Sequence, residues 1–116
     1  MNRFRSVIVA ASFSILCFGL AFGDLPPIET VTTSPEGVVI VNGRPFLPIM
    51  AWLQPPETLS LVAKCGMNTT AGYWPGAGGT KDVVEYLKKV QDAGLYGVMP
   101  YHPGLQNHPN LLAYIH

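Results

Sequence analysis

Five side chains of this sequence could act chemically as a set: Trp52, Tyr73, Trp74, Tyr101 and His102. They fall at or just past the ends of three short apolar runs, Ile49 to Trp52, Met67 to Ala71 and Leu95 to Met99. A flat ring with a polar tip suits a ligand that is apolar on its faces and hydroxylated at its rim, such as a sugar ring. The plainer reading makes them loop aromatics, or a plug over the strand ends.

Other chemistries fit the spacing less well. His102, His108 and His116 are six and eight residues apart, so they do not share one helix turn, and no His-Glu-x-x-His pattern occurs. No metal site is expected, and His108-Pro109 reads as a turn. Gly76-Ala77-Gly78-Gly79 lacks the Gly-x-Gly-x-x-Gly spacing and has no Walker-type lysine after it. It reads as a flexible loop, and no cofactor is expected. Cys65 is the single cysteine outside the leader, so no intrachain disulfide forms; its place near a helix end predicts a small buried residue. Asn68-Thr69-Thr70 matches a glycosylation sequon. It lies in a predicted buried strand, where Asn68 is expected to satisfy backbone groups.

The acids are placed for structure. Asp24, Glu29 and Glu36 lie in the lead-in, Glu57 and Asp82 at helix starts, and Glu85 and Asp92 on a helix's solvent face. A negative charge at a helix start is explained by the helix dipole. None ends a strand, so no catalytic residue is assigned.

The first 23 residues set the compartment. Arg3 and Arg5 precede an uncharged apolar run from Val7 to Leu20, and Ala21-Phe22-Gly23 places small residues around a cleavage site before Asp24. This predicts a signal peptide over 1–23 and a secreted or periplasmic protein. The run is short for a span of ~20 residues, so no membrane partner is expected after cleavage. Removing the leader takes two of the seven basic residues and none of the seven acidic ones, which leaves a net charge of −2. That balance excludes steering toward nucleic acid.

The elements that must position these groups alternate. Residues 24–36 read as a Pro/Thr/Ser-rich linker. Val38 to Val41 is β-branched, and Asn42-Gly43 suits the positive φ angles of a tight hairpin turn before Arg44 to Leu47. Pro45 and Pro48 confine the return strand to an edge. Pro56-Glu57 opens a helix with Leu59, Val62 and Ala63 on one face, ended by Gly66. Thr80 is expected to cap a second helix over 81–93, with Val83, Leu87 and Val90 inward and Gly94 after it. A last apolar run covers Leu111 to Ile115. Strands alternating with helices predict an α/β fold with a parallel sheet.

Four stretches together resemble secreted glycoside hydrolases with a (β/α)8 (TIM) barrel of the β-galactosidase and cellulase type. Val39 to Trp52 resembles their hairpin and first barrel strand. Leu61 to Thr70 is similar to their entry to strand two, Val84 to Met99 to helix two and strand three, and Asn107 to Tyr114 to the approach to strand four. The resemblance covers residues 38 to 116. It implies an incomplete barrel over 37–116, its first three to four strands preceded by a β-hairpin. It further implies a fragment of an exported glycoside hydrolase acting on O-glycosidic bonds. The chain given is expected to be inactive, because the acid/base carboxylate and the nucleophile would lie beyond it. The aromatic set would then line a carbohydrate cleft. A dozen residues between Met99 and Leu112 leave little room for a third helix, which departs from the family pattern. The alternative is a small secreted α/β carbohydrate-binding or interaction module. An isolated parallel half-sheet would leave edges and apolar faces open, so poor solubility is expected.

Overall fold

A computed structural model describes residues 25–75 and 81–116. The leader, the Gly76–Gly79 loop and the Thr80 cap lie outside the described residues. The chain builds two sheets. A small antiparallel sheet holds β1 (Val31–Thr33), β2 (Val39–Val41) and β3 (Arg44–Pro45) in that order. A parallel sheet holds β4 (Met50–Trp52), β5 (Thr69–Ala71), β6 (Tyr96–Pro100) and β7 (Leu111–Ile115), also in chain order. Helix α1 (Leu59–Lys64) follows a 3₁₀ turn at Pro56–Thr58 and connects β4 to β5; α2 (Val83–Asp92) connects β5 to β6.

The expected hairpin forms as read. Asn42 and Gly43 have φ of 50° and 76°, and β3 is an edge. Half of the lead-in, however, is structure and not linker, because Val31–Thr33 pairs antiparallel with Val39–Val41. Asn42 explains the attachment. Its Oδ1 accepts from the Glu29 and Thr30 amides at 2.8 and 3.1 Å, and its Nδ2 donates to the Pro27 carbonyl.

The parallel sheet is singly wound. β4 pairs with β5 in register Met50↔Thr69 to Trp52↔Ala71, β5 with β6 in register Thr69↔Tyr96 to Ala71↔Val98, and β7 follows beyond a bulge at Gly97/Val98. Crossovers between parallel strands are nearly always right-handed, so adding each strand on the same side puts every helix on the same face. That holds here. Leu59 and Val62 of α1 and Val83, Tyr86, Leu87 and Val90 of α2 share one buried cluster with Leu95, Met99 and Leu105. The opposite face carries Tyr96 and Leu112 at the strand starts, where Val41 of the small sheet, Phe46 just after it and Leu25 of the lead-in cover them.

The helices end as the glycines predicted, with Gly66 and Gly94 at φ 83° and 76°. At its start α2 is capped by Asp82, whose Oδ1 accepts from the Val84 amide at 2.8 Å. Asp82 therefore acts by hydrogen bonding as well as by charge. Cys65 is exposed, contrary to expectation: α1 ends at Lys64, and the next residue lies off the buried face. Asn68 behaves as read. Its Oδ1 accepts from the Ile49 amide at 2.8 Å and its Nδ2 donates to the Leu47 carbonyl at 2.9 Å, joining β4 to β5 at their starts.

His108 sits in the turn before β7, and its Nδ1 accepts from the Asn110 amide. Burial first, and the nearby Lys88 ammonium second, hold its pKa below the ordinary 6.5. Below that value the unfolded chain takes up a proton that the folded chain refuses. Stability should be complete above pH 6.5 and fall as the pH drops toward the lower folded pKa. Urea midpoints measured between pH 7.5 and 5 should show this fall, and His108→Asn should flatten it.

Candidate functional site

The C-terminal ends of β4, β5 and β6 lie side by side, so the residues after them share one end of the sheet. β4 ends in Trp52, which is 59% exposed. Trp74 follows β5 and is 38% exposed; Tyr101 follows β6 and is 59% exposed. His102 is also exposed. Its Nδ1 accepts from the Gly104 amide at 3.1 Å, opening a short 3₁₀ turn at Pro103–Leu105. With Nδ1 accepting, Nε2 is the ring nitrogen that carries a proton.

Tyr73 is placed differently. Its ring lies 6.0 Å from the Tyr86 ring and packs on the helix-side cluster, so it supports the site from beneath. Sequence reasoning put it in the set because it falls just past the run Met67 to Ala71. It passed over Tyr86, which is fully buried and whose hydroxyl donates to the Gln54 carbonyl at 2.5 Å. Gln54 in turn donates from Nε2 to the Trp52 carbonyl at 2.9 Å, and its Oε1 accepts from Thr58. A helix side chain thus fixes the loop that carries Trp52. Burial pushes the Tyr86 phenol above its ordinary pKa, so it stays a proton donor. Tyr86→Phe should leave the Gln54 carbonyl without its partner, costing about 1–3 kcal/mol. Amide exchange at Gln54 and Thr58 should speed up, while exchange in β7 should hardly change.

Tyr114 also escaped the sequence reading as a site residue. It lies on β7 beside Tyr101, ring centroids 5.3 Å apart and edge-on, and its buried hydroxyl has no hydrogen-bond partner among the described residues. The backbone at this end is tightly drawn. Leu53 donates its amide to the Ala71 carbonyl and Gly72 to the Val98 carbonyl, at 2.9 and 2.8 Å. Both residues are left-handed, with φ of 48° and 72°.

The acids of the connecting segments serve the helices. Glu57 lies in the turn before α1, Asp82 caps α2, and Glu85 and Asp92 pair with Lys89 and Lys88 at 3.2 and 3.3 Å. The strand ends therefore offer flat apolar rings and neutral donors, and no carboxylate among the described residues ends a strand. A separate groove of about 590 Å³ lies at the opposite end of the sheet, between the lead-in and the hairpin, lined by Leu25, Pro26, Arg44, Phe46 and Tyr96 among others. None of the five candidate residues reaches it. No protein family, curated protein or solved structure matches this chain.

Proposed function

We propose that residues 37–116 are the opening strands of a (β/α)8 barrel of the exported glycoside-hydrolase type, and that Trp52, Trp74, Tyr101 and His102 hold carbohydrate at its C-terminal face. The observation that carries this reading is the exposure of large aromatic rings at the same end of three adjacent parallel strands. Barrel enzymes build their sites at that end. Four strands in unbroken chain order, with both helices on one face, are what the first half of a ring requires. A doubly wound sheet reverses its order and covers both faces with helices. Ile49 and Met50 stay about half exposed at the start of β4, which is surface a closed ring would cover.

The chemistry assigned to these residues is binding. Glycoside hydrolysis generally needs two carboxyl groups across one bond, ~5–9.5 Å apart. The strand ends described here supply neither, so hydrolysis would draw on other strands of a barrel. The ligand is a carbohydrate presenting apolar ring faces. Export rests on residues 1–23. Trp52 and Trp74 are the only tryptophans, so tryptophan emission, excited apart from the tyrosines, reports this surface. Titration with cellohexaose, mannohexaose or β-1,4-galactotetraose should change the emission saturably with at least one of them. Flat titrations with all three, on folded protein, would remove the reading.

A further inference from the structure

Gly72 immediately follows β5 and is buried at φ 72°, a conformation that side chains rarely adopt. The space where its Cβ would stand is already taken. Leu53 Cδ2 lies 2.8 Å from that point, Leu53 Cγ 3.6 Å, and Cη2 of the Trp52 indole 3.8 Å. Leu53 is itself left-handed, at φ 48°, which is costly for a leucine and persists only where the surroundings impose it. The bond from the Leu53 amide to the Ala71 carbonyl holds it there, drawing the segments just beyond β4 and β5 together. On its other side Gly72 is tied to β6, its amide donating to the Val98 carbonyl. The six-membered end of the indole and the Leu53 side chain then share the notch above Gly72.

We infer that Gly72 is a positioning residue for Trp52: the notch left by its missing side chain seats the indole at the sugar-holding end. The inference rests on the carbohydrate reading for its functional meaning, though not for its geometry. A methyl at position 72 meets Leu53 first, displaces it, and so moves the ring that neighbours it. Leu53→Ala vacates that space and should relieve the clash, leaving only the backbone strain of an alanine at φ 72°.

The spectra are read from the full chain with Trp74→Phe, which leaves Trp52 as the one tryptophan, excited apart from the five tyrosines; affinities are measured with Trp74 in place. Gly72→Ala should shift the Trp52 emission and lower its anisotropy without ligand, and weaken binding of whichever hexaose or tetraose binds about tenfold. The pair Leu53→Ala with Gly72→Ala should recover most of both. If Gly72→Ala fails to fold, Leu53→Ala alone, which empties one side of the notch, should still lower the Trp52 anisotropy. Unchanged Trp52 emission and anisotropy in folded Gly72→Ala would overturn the inference, whatever the sugars do. So would altered emission with unaltered sugar affinity. If none of the three sugars binds the parent chain, the carbohydrate reading fails, and the ligand-free spectra alone decide whether Gly72 seats the ring.

Discussion

Leu87→Ala is expected to lower the unfolding free energy by about 3–5 kcal/mol, the upper part of the range for a buried leucine. Leu87 is fully buried, in the middle of α2. Opposite it on β6 is Gly97, where a Cβ would lie 2.5 Å from Leu87 Cδ1 and 2.8 Å from Met99 Cε. The leucine thus fills a space that its neighbour leaves empty. Truncating it opens a void beside a residue with no side chain to collapse inward, which is why the cost belongs at the high end. A chain with roughly 90 residues to fold has about 5–14 kcal/mol in total, so the loss takes at least about a fifth of it. Gly97→Ala alone should also destabilise, by about 1–3 kcal/mol, because both atoms it meets are on fully buried side chains. The two changes together should cost less than their sum, since the new methyl enters the vacated space. Leu61→Ala, on the exposed side of α1, should stay within ~0.5 kcal/mol. Urea midpoints followed by circular dichroism measure all four. A loss below ~1 kcal/mol for Leu87→Ala would mean that α2 does not seat on β6 as described.

The second large effect is on binding. Trp52→Ala and Trp74→Ala should each weaken oligosaccharide affinity about thirtyfold, the size of a ~2 kcal/mol aromatic anchor. Together they should abolish measurable binding. Both rings are well exposed, so truncation removes contact surface and little packing, and the fold should survive. Tyr73→Phe should leave affinity near its parent value, since that ring faces Tyr86 and the core. Isothermal titration of each variant, with circular dichroism as the control for folding, separates these outcomes. Parent-like affinity in the folded double variant would exclude the strand-end surface as the binding face.

Much of this architecture could be read from residue types because its determinants are local. Gly66 and Gly94 end helices through their own backbone angles, and Asn42-Gly43 makes its turn from its own φ preferences. The alternation of helical and short apolar segments then implied the parallel sheet that the four strands form. What escaped depends on partners distant in sequence. Val31 to Thr33 is β-branched but short, and only pairing with Val39 to Val41 and the Asn42 side chain makes it a strand. Cys65 looked like a core residue because it falls near the end of a predicted helix, and one step past the end of α1 turned it outward. Tyr73 and Trp74 are adjacent and chemically alike. Their division, one packed on Tyr86 and the other open, depends on a helix ring thirteen residues on. Tyr86 itself was hidden because its hydroxyl partner, the Gln54 carbonyl, is 32 residues away.

The strand-end surface is tested most directly by nuclear magnetic resonance of the two indole N–H groups. With two tryptophans in the chain, ¹⁵N-labelled protein shows two such signals, one from Trp52 and one from Trp74. Adding the oligosaccharide that quenches fluorescence should move both signals together with the Tyr101 and His102 amides, and leave Leu25, Arg44 and Phe46 in place. Stationary indole signals, with shifts gathered instead around the Leu25–Phe46 groove, would contradict the account.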